Sequence, residues 1–481
     1  MKNSFLILFL CLIFIQKDSF ASHAMGGEIT YQCLGGNQYQ LRFTFYRDCT
    51  GIPAPSFMAI SVTSSCFVNQ SINLNPTPQS PQQISPICST VSSSCDGGNF
   101  IGIEEWIYEG TVTLPGPCVD WMFSHSENAR NAAITTISGA GVEDLFVFAT
   151  LNNTNGICNN SPVFSNRPMP MACINQRFCF NHGAIDSEGD SLSFQLVTPR
   201  IGPLFSDTVT YLAGHSATQP IISNPPMTFN EQSGDFCMTP QQPEVSCMAV
   251  LVNEFRNGVL IGQVLRDLQI TILNCGNLLP QLTGINGLPP FDINVCANQE
   301  NCFFISSFDP DVSQTTTITY DFAIPNMTFT TSSGVRDTAF FCLTPDSSFT
   351  DSILCFTATV MDNNCPYTGT QTYSYCLVLD HSPGCQPVGI ATMPRYNYQF
   401  TIYPQPASGD IHFDFTHGLN SRSIKNLIIE NMLGETVYMT PVSASMLTID
   451  AHQINADGIF IARITDANDK TIGIQKMLLI R

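Results

Sequence analysis

The densest chemistry in this chain is Asp186-Ser187-Glu188-Gly189-Asp190, which places three carboxylates at alternate positions. In an extended segment alternate side chains share a face, so these three would crowd and repel. A hard cation with oxygen ligands, calcium above all, would relieve that repulsion. The stretch is not a helix–loop–helix calcium loop, because its glycine stands at position four and position twelve is Val197 rather than Glu. A second short acidic pair follows at Asp309-Pro310-Asp311, and later acidic sites at Glu254-Phe255-Arg256 and Asp362-Asn363-Asn364. The alternative for each is an ordinary solvated turn, since Asp and Gly favour turn geometry unaided.

These acids fall at matching places in an internal repeat. Cys158-Asn159-Asn160-Ser161-Pro162 recurs as Cys275-Gly276-Asn277-Leu278-Leu279-Pro280, and the pair Cys173 and Cys179 recurs as Cys296 and Cys302. Asp186 and Asp309 each follow the second of those cysteines by seven residues. Phe236-Cys237-Met238-Thr239-Pro240 recurs as Phe341-Cys342-Leu343-Thr344-Pro345, and Glu254 and Asp362 stand seven residues after Cys247 and Cys355. The spacing predicts two copies of one β-domain, 159–275 and 276–385, each ending at a cysteine. Their size suits an Ig-like sandwich. With the Asn-x-Pro and Asn-x-x-Pro joints, the pattern resembles cadherin repeats, in which a late acidic motif, the linker and the next D-x-D loop share calcium. Carried over, the resemblance implies that Glu254, Asn277, Asp309 and Asp311 converge at the 275–280 joint, with Asp186, Glu188, Asp190 and Asp362 as the other calcium candidates.

Catalytic motifs are scarce. None of the eight His lies in an H-E-x-x-H pattern, and neither a phosphate-binding loop nor a G-x-G-x-x-G turn after a strand occurs. Gly214-His215-Ser216-Ala217-Thr218 approaches a nucleophile elbow but lacks its final Gly. Four triplets, Asp190-Ser191-Leu192, Asp207-Thr208-Val209, Asp337-Thr338-Ala339 and Asp351-Ser352-Ile353, resemble Bacteroidetes O-glycosylation sites.

Composition narrows the class. The 18 Lys and Arg against 38 Asp and Glu give a net charge of −20, which disfavours nucleic acid and anionic membranes as partners. Only 12% of residues are charged, while 34 Phe, 32 Gly and 31 Pro point to strands and turns. Lys2, the apolar run Phe5 to Ile15 and Ser19-Phe20-Ala21 read as a secretory signal over 1–21, and no stretch long enough for a transmembrane helix is expected. Of 20 cysteines, 19 lie between Cys33 and Cys385, a density that in an exported chain predicts disulfides with one thiol left over, free or shared between chains.

The first module, 22–158, opens on a hairpin. Ile29 and Tyr31 alternate with polar residues, as do Tyr39, Leu41, Phe43 and Phe45, around a Gly35-Gly36-Asn37 turn. The stretches Gly26-Gly27-Glu28-Ile29-Thr30-Tyr31 and Tyr46-Arg47-Asp48-Cys49 resemble large gliding-motility-associated surface proteins of Bacteroidetes. Cys118-Val119-Asp120-Trp121-Met122-Phe123 and Arg130-Asn131-Ala132-Ala133 extend that resemblance. Trp106 or Trp121 is expected in the core, and the Ser- and Pro-rich 68–98 reads as a loop tethered by Cys88 and Cys95 within this module.

After a linker at 386–400, the last stretch, 401–481, holds short alternating segments at 411–415, 425–430, 435–439, 446–450, 459–465 and 472–480, with Gly434 and Gly458 at turns. That pattern predicts a small antiparallel sandwich. The motifs Ile402-Tyr403-Pro404-Gln405-Pro406-Ala407, Asn431-Met432-Leu433-Gly434-Glu435-Thr436-Val437, Leu447-Thr448-Ile449-Asp450, Asp457-Gly458-Ile459-Phe460 and Lys476-Met477-Leu478-Leu479-Ile480-Arg481 resemble the type A C-terminal sorting domain of type IX secretion cargo. Gln405, Asn431 and Phe460 stand where that family has Asn, Asp and Tyr.

The expectation is therefore an all-β chain: tandem Ig-like or cadherin-like sandwiches with a small C-terminal sorting sandwich. The resemblance implies export to the cell surface or the medium, with the type IX machinery and its sortase as partners and lipopolysaccharide as an anchor. The cargo part would bind a surface glycan or protein, with calcium as the only cofactor. A structural part of an outer-surface or gliding assembly is the alternative, and a secreted hydrolase a third.

Overall fold

The computed structural model describes residues 24–479 except 155, 157, 169, 288–290, 322–323, 333, 347–352, 383–384, 386–399, 405–406, 408, 416–423, 432–434, 455–457 and 468. The signal expected at 1–21, Gly434 and all but the last residue of the linker expected at 386–400 lie outside them. The described chain is all-β, with short 3-10 turns and no α-helix, so no helix is long and apolar enough to cross a membrane.

The opening hairpin forms as its alternation predicts. Ala24–Gly35 pairs with Gln38–Asp48 around Gly36 and Asn37, whose φ angles of 59° and 61° suit a tight hairpin turn. Ile29, Tyr31, Tyr39, Leu41, Phe43 and Phe45 are buried in one core with Trp121, whereas Trp106 only packs against its edge.

From this hairpin the ladder runs through Ile103–Thr113, Gln70–Pro76, Met58–Thr63, Trp121–Glu127 and Leu145–Leu151 to Val259–Leu273, which returns to Ala24–Gly35 at Gly26↔Leu268. The sheet thus closes into a ring of eight strands, and one of them comes from the first repeat. Hydrogen bonding therefore continues across residue 158. Gly26 is needed at the closure, because a Cβ there would stand 2.3 Å from the Asp267 carbonyl oxygen.

The same Val259–Leu273 forms a long hairpin with Glu244–Arg256, which carries Ser191–Val197 on its far edge. In the second repeat Asp292–Cys296, Thr370–Asp380, Ile353–Asp362 and Thr316–Tyr320 form one sheet. Gln281–Leu282, Asn301–Phe308, Thr338–Leu343 and Thr328–Thr331 form the other, with Phe303, Phe341 and Phe356 between them.

Among the described residues, nine disulfides staple these units. Matching bonds recur in the two copies: Cys173–Cys275 with Cys296–Cys385, and Cys179–Cys237 with Cys302–Cys342. One expectation about the cysteines is corrected. Residues 68–98 are not a loop tethered within the first module: Gln70–Pro76 is a strand of the ring, and Cys88 bonds Cys365 of the second repeat. Ile87 pairs with Tyr367, and the Cys88 N–H donates to the Pro366 carbonyl at 2.9 Å, so the 86–88 segment docks there as backbone. The leftover thiol is Cys247, which is fully buried and so not placed to cross-link chains.

The tail forms two sheets, Thr401–Tyr403, Asp410–Asp414 and Met446–Asp450 against Thr436–Pro441, Ile424–Asn431, Gly458–Asp466 and Thr471–Leu479. Phe413, Leu427, Ile429, Phe460 and Met477 fill the space between, and Gly458 holds the positive φ expected of it, 127°.

Candidate functional site: matched acidic clusters

The acidic residues gather in two constellations, one per repeat, built on one plan. In the first, Glu254 lies near the end of its strand, opposite Gly262, and its Oε1 accepts from Asn159 Nδ2 at 2.7 Å. In the second, Asp362 ends its strand, and its Oδ2 accepts from Asn277 Nδ2 at 2.7 Å. The main-chain N–H after each asparagine donates to a carboxylate of the acidic turn: Asn160 to Glu188 Oε1 and Leu278 to Asp311 Oδ2, both at 2.8 Å. Asp186 Oδ1 accepts the Glu188 N–H at 3.0 Å, and Asp309 Oδ1 accepts the Asp311 N–H at 2.8 Å.

A side-chain oxygen that gathers its own following amides makes a turn, not an extended strand. This corrects the expected one-sided row of three carboxylates. Asp186 Oδ1 also takes the Asp190 N–H at 2.8 Å, so 186–190 curls. Asp186 and Asp190 then share a site with Glu254, with ligand atoms all within 4.8 Å of one another, while Glu188 stays exposed on Asn160. The expected convergence of Glu254 with Asn277, Asp309 and Asp311 is corrected likewise. Glu254 belongs to the first cluster, and Asn277, Asp309 and Asp311 meet Asp362 in the second. Each late acid reaches back to its own copy's first asparagine because the strand carrying it runs beside that copy's entry.

The clusters differ in counter-charge. Arg256 Nε donates to Asp190 at 2.8 and 3.0 Å, and its Nη2 to Asn159 Oδ1 at 2.7 Å. In the second copy Gln314 Nε2 takes that place on Asn277 Oδ1 at 2.7 Å, and Arg336 Nη2 reaches only the main-chain oxygens of Asp309 and Asp311, at 3.0 Å each. The spacing pointed to neither Gln314 nor the paired glycines. A Cβ on Gly262 would stand 2.3 Å from Glu254 Oε2, and one on Gly369 2.3 Å from Asp362 Oδ2.

Burial without full pairing leaves the carboxyls reluctant to ionise. Desolvation pushes Glu254 up to about 8, aided by Asp186 and Asp190 and opposed by Asn159. Desolvation lifts Asp309 to about 6, with Asp362 adding to it and the Asp311 N–H opposing. Asp186 and Asp362 are raised for the same first reason. Glu254 Oε2, Asp186 Oδ2 and Asp309 Oδ2 make no hydrogen bond, although Glu254 is 0% and Asp309 1% exposed. Such atoms suit a proton or a hard cation.

Among the described residues, the other acidic groupings involve Cys49 and Cys95 beside Glu104, and Cys66 and Cys118 beside Asp120. Both cysteine pairs are disulfides and offer no thiolate. At the elbow-like stretch His215 Nε2 pairs with Glu244 Oε2 at 3.0 Å, and the Ser216 hydroxyl faces Thr218 at 3.4 Å.

Residues 401–480 match the family described as the secretion system C-terminal sorting domain, which supports cargo of the type IX secretion system. Comparison with curated proteins finds no match. Among solved structures, Dpr2 Ig1-Ig2 in complex with DIP-Theta Ig1-Ig3 shares 12% identity over 46% of this chain and 99% of that one, with a TM-score of 0.19. Drosophila N-cadherin EC1-4 shares 13% over 70% and 83%, with a TM-score of 0.17. An endo-fucoidan hydrolase of glycoside hydrolase family 107 shares 13% over 73% and 43%, with a TM-score of 0.16. Scores of this size carry no argument about what the chain does.

Proposed function

We propose that this chain is an exported binding protein, carried out by the type IX secretion machinery and retained at the cell surface or released. In this reading the machinery's sortase removes the tail, and lipopolysaccharide takes its place as anchor. The stapled β-units then bind a surface glycan or protein. The observation that carries the reading is the sorting domain at 401–480, set behind β-units held by disulfides that suit an oxidising compartment.

Each acidic cluster is read as a calcium site. Asp186, Asp190 and Glu254 would hold the first ion, with Glu188 at its rim; Asp309, Asp311 and Asp362, with Asn277, would hold the second. The unpaired buried oxygens support this.

The test is a type IX-competent host expressing the chain with and without 401–481. The full chain should reach the surface or medium and, once purified, bind spots on glycan and protein arrays. Equal delivery of the tail-less chain would sink the export reading, and a blank array the binding reading.

A further inference from the structure

The ring carries a second polar site, lined by none of the carboxylates of the clusters. Because Ile29, Tyr31, Phe43 and Phe45 face the core, the intervening Glu28, Thr30, Arg42, Thr44 and Tyr46 face outward. Residues 163–167 cross that face and border an open cleft of about 500 Å³, with Arg266 of the long hairpin in its wall. That volume falls within the roughly 300–1,000 Å³ of small-molecule sites.

Five charged side chains line it: Glu28 and Glu105 against Arg42, Arg167 and Arg266. Glu109, just outside the lining, pairs with Arg42 at 3.2 Å, so the three guanidiniums face three carboxylates. Arg42 and Arg167 have side chains 48% and 52% exposed, and Arg167 Nη2 donates to Glu105 Oε2 at 2.8 Å. Arg266, by contrast, is 1% exposed. Its Nη2 donates to the Asn166 carbonyl at 2.9 Å, and its guanidinium lies 4.3 Å over the Phe164 ring. The Tyr46 hydroxyl donates to Glu28 Oε1 at 3.2 Å.

The remaining atoms of that inner pair are unsatisfied. Glu28 Oε2 and Arg266 Nε lie 3.4 Å apart and neither makes a hydrogen bond, although Glu28 is only 5% exposed. The two attract as an ion pair, but a buried donor and acceptor without a hydrogen bond leave part of their desolvation cost unrecovered. One hydroxyl beside them would serve both, accepting from Arg266 and donating to Glu28. Thr30 and Thr44 add further hydroxyls to the wall, and the exposed guanidiniums suit a carboxylate at the mouth. A ligand with one carboxylate beside its hydroxyls would use the outer donors of Arg42 and Arg167 without bringing charge onto Glu28.

We propose that this pocket binds an acidic saccharide unit, with a ring hydroxyl held by Glu28 and Arg266 and a carboxylate held by Arg42 and Arg167. The proposal rests on the reading of the chain as a binding protein and gives that reading a site.

The test is calorimetric titration of the mature chain with trigalacturonate and with neutral maltotriose, alongside the array experiment. Two variants are used: Thr44→Trp, which fills the cavity, and Arg42→Ala at the exposed mouth. Trigalacturonate should bind, and each variant should weaken it roughly tenfold or more with the melting temperature unchanged, as expected for loss of a charge-assisted contact or of the cavity. Maltotriose should bind at least as weakly as trigalacturonate does to the Arg42→Ala variant. No heat with trigalacturonate, or binding indifferent to Arg42→Ala, overturns the proposal. Array binding that survives in Thr44→Trp overturns the pocket but leaves the binding function standing, whereas a blank wild-type array overturns both.

Discussion

Cys247 faces Gln269 across the long hairpin, at the register where the second repeat joins Cys355 to Cys376. The odd thiol is thus a half-bond of the repeat plan, with glutamine where its partner would be. Burial pushes the Cys247 thiol up to about 12, so almost no thiolate exists at pH 8. Thiol titration should read zero in the native mature chain and one in denaturant. Gln269→Cys should bring the denatured count to zero and raise the melting temperature. A native count of one would mean that Cys247 is not buried.

The Cys88–Cys365 bond spans 277 residues and ties the ring to the second repeat. Replacing both cysteines by Ser should loosen that docking. Small-angle scattering should show a larger radius of gyration, and protease should cut sooner near 86–88 and 366–368. A single bridge is typically worth ~2–4 kcal/mol, so each unit should still fold. An unchanged radius and cleavage pattern would show that the non-covalent contacts suffice.

Gly262 and Gly369 leave room for the buried carboxylates of Glu254 and Asp362. Gly369→Ala would press a methyl onto Asp362 and onto Asn277 Nδ2, 2.8 Å away. Each alanine variant should lower stability by about 1–3 kcal/mol, the usual cost of overpacking. Gly276→Ala, with open space around its Cβ position, is the control and should change little. Equal melting of all three would argue against the close approach.

Calcium should raise the melting temperature of the mature chain by several degrees, and excess chelator should reverse the rise. At 100 times Kd a ligand adds about 2.7 kcal/mol per site. Glu254→Gln should remove the first cluster's share and Asp309→Ala the second's. A melt indifferent to calcium would remove the ion from the mechanism and leave the clusters as proton-sharing networks.

Much of the architecture was legible because it is written in local rules. Alternation and turn residues marked the opening hairpin and the sorting sandwich, since strand period and the geometry of Gly and Asn act over a few residues. The spaced cysteines and acids revealed the repeat, because both copies keep the same plan. The clusters' membership was legible only in part. The spacing singles out Asp186, Asp190 and Glu254, but the cadherin resemblance places Glu254 at the 275–280 joint, whereas strand pairing brings it to Asn159 of its own copy.

The amino-acid sequence by itself determined the opening hairpin, the strands of the tail, the repeated spacing of cysteines and acids, the odd thiol and the sorting tail. The tertiary structure decided that Val259–Leu273 closes the ring, that Cys88 finds Cys365, and that Glu28 and Arg266 meet in one pocket. The reason is physical: local propensities fix an element's kind, but partners separated by hundreds of residues are chosen by which closure buries the apolar faces and pairs the most backbone at once.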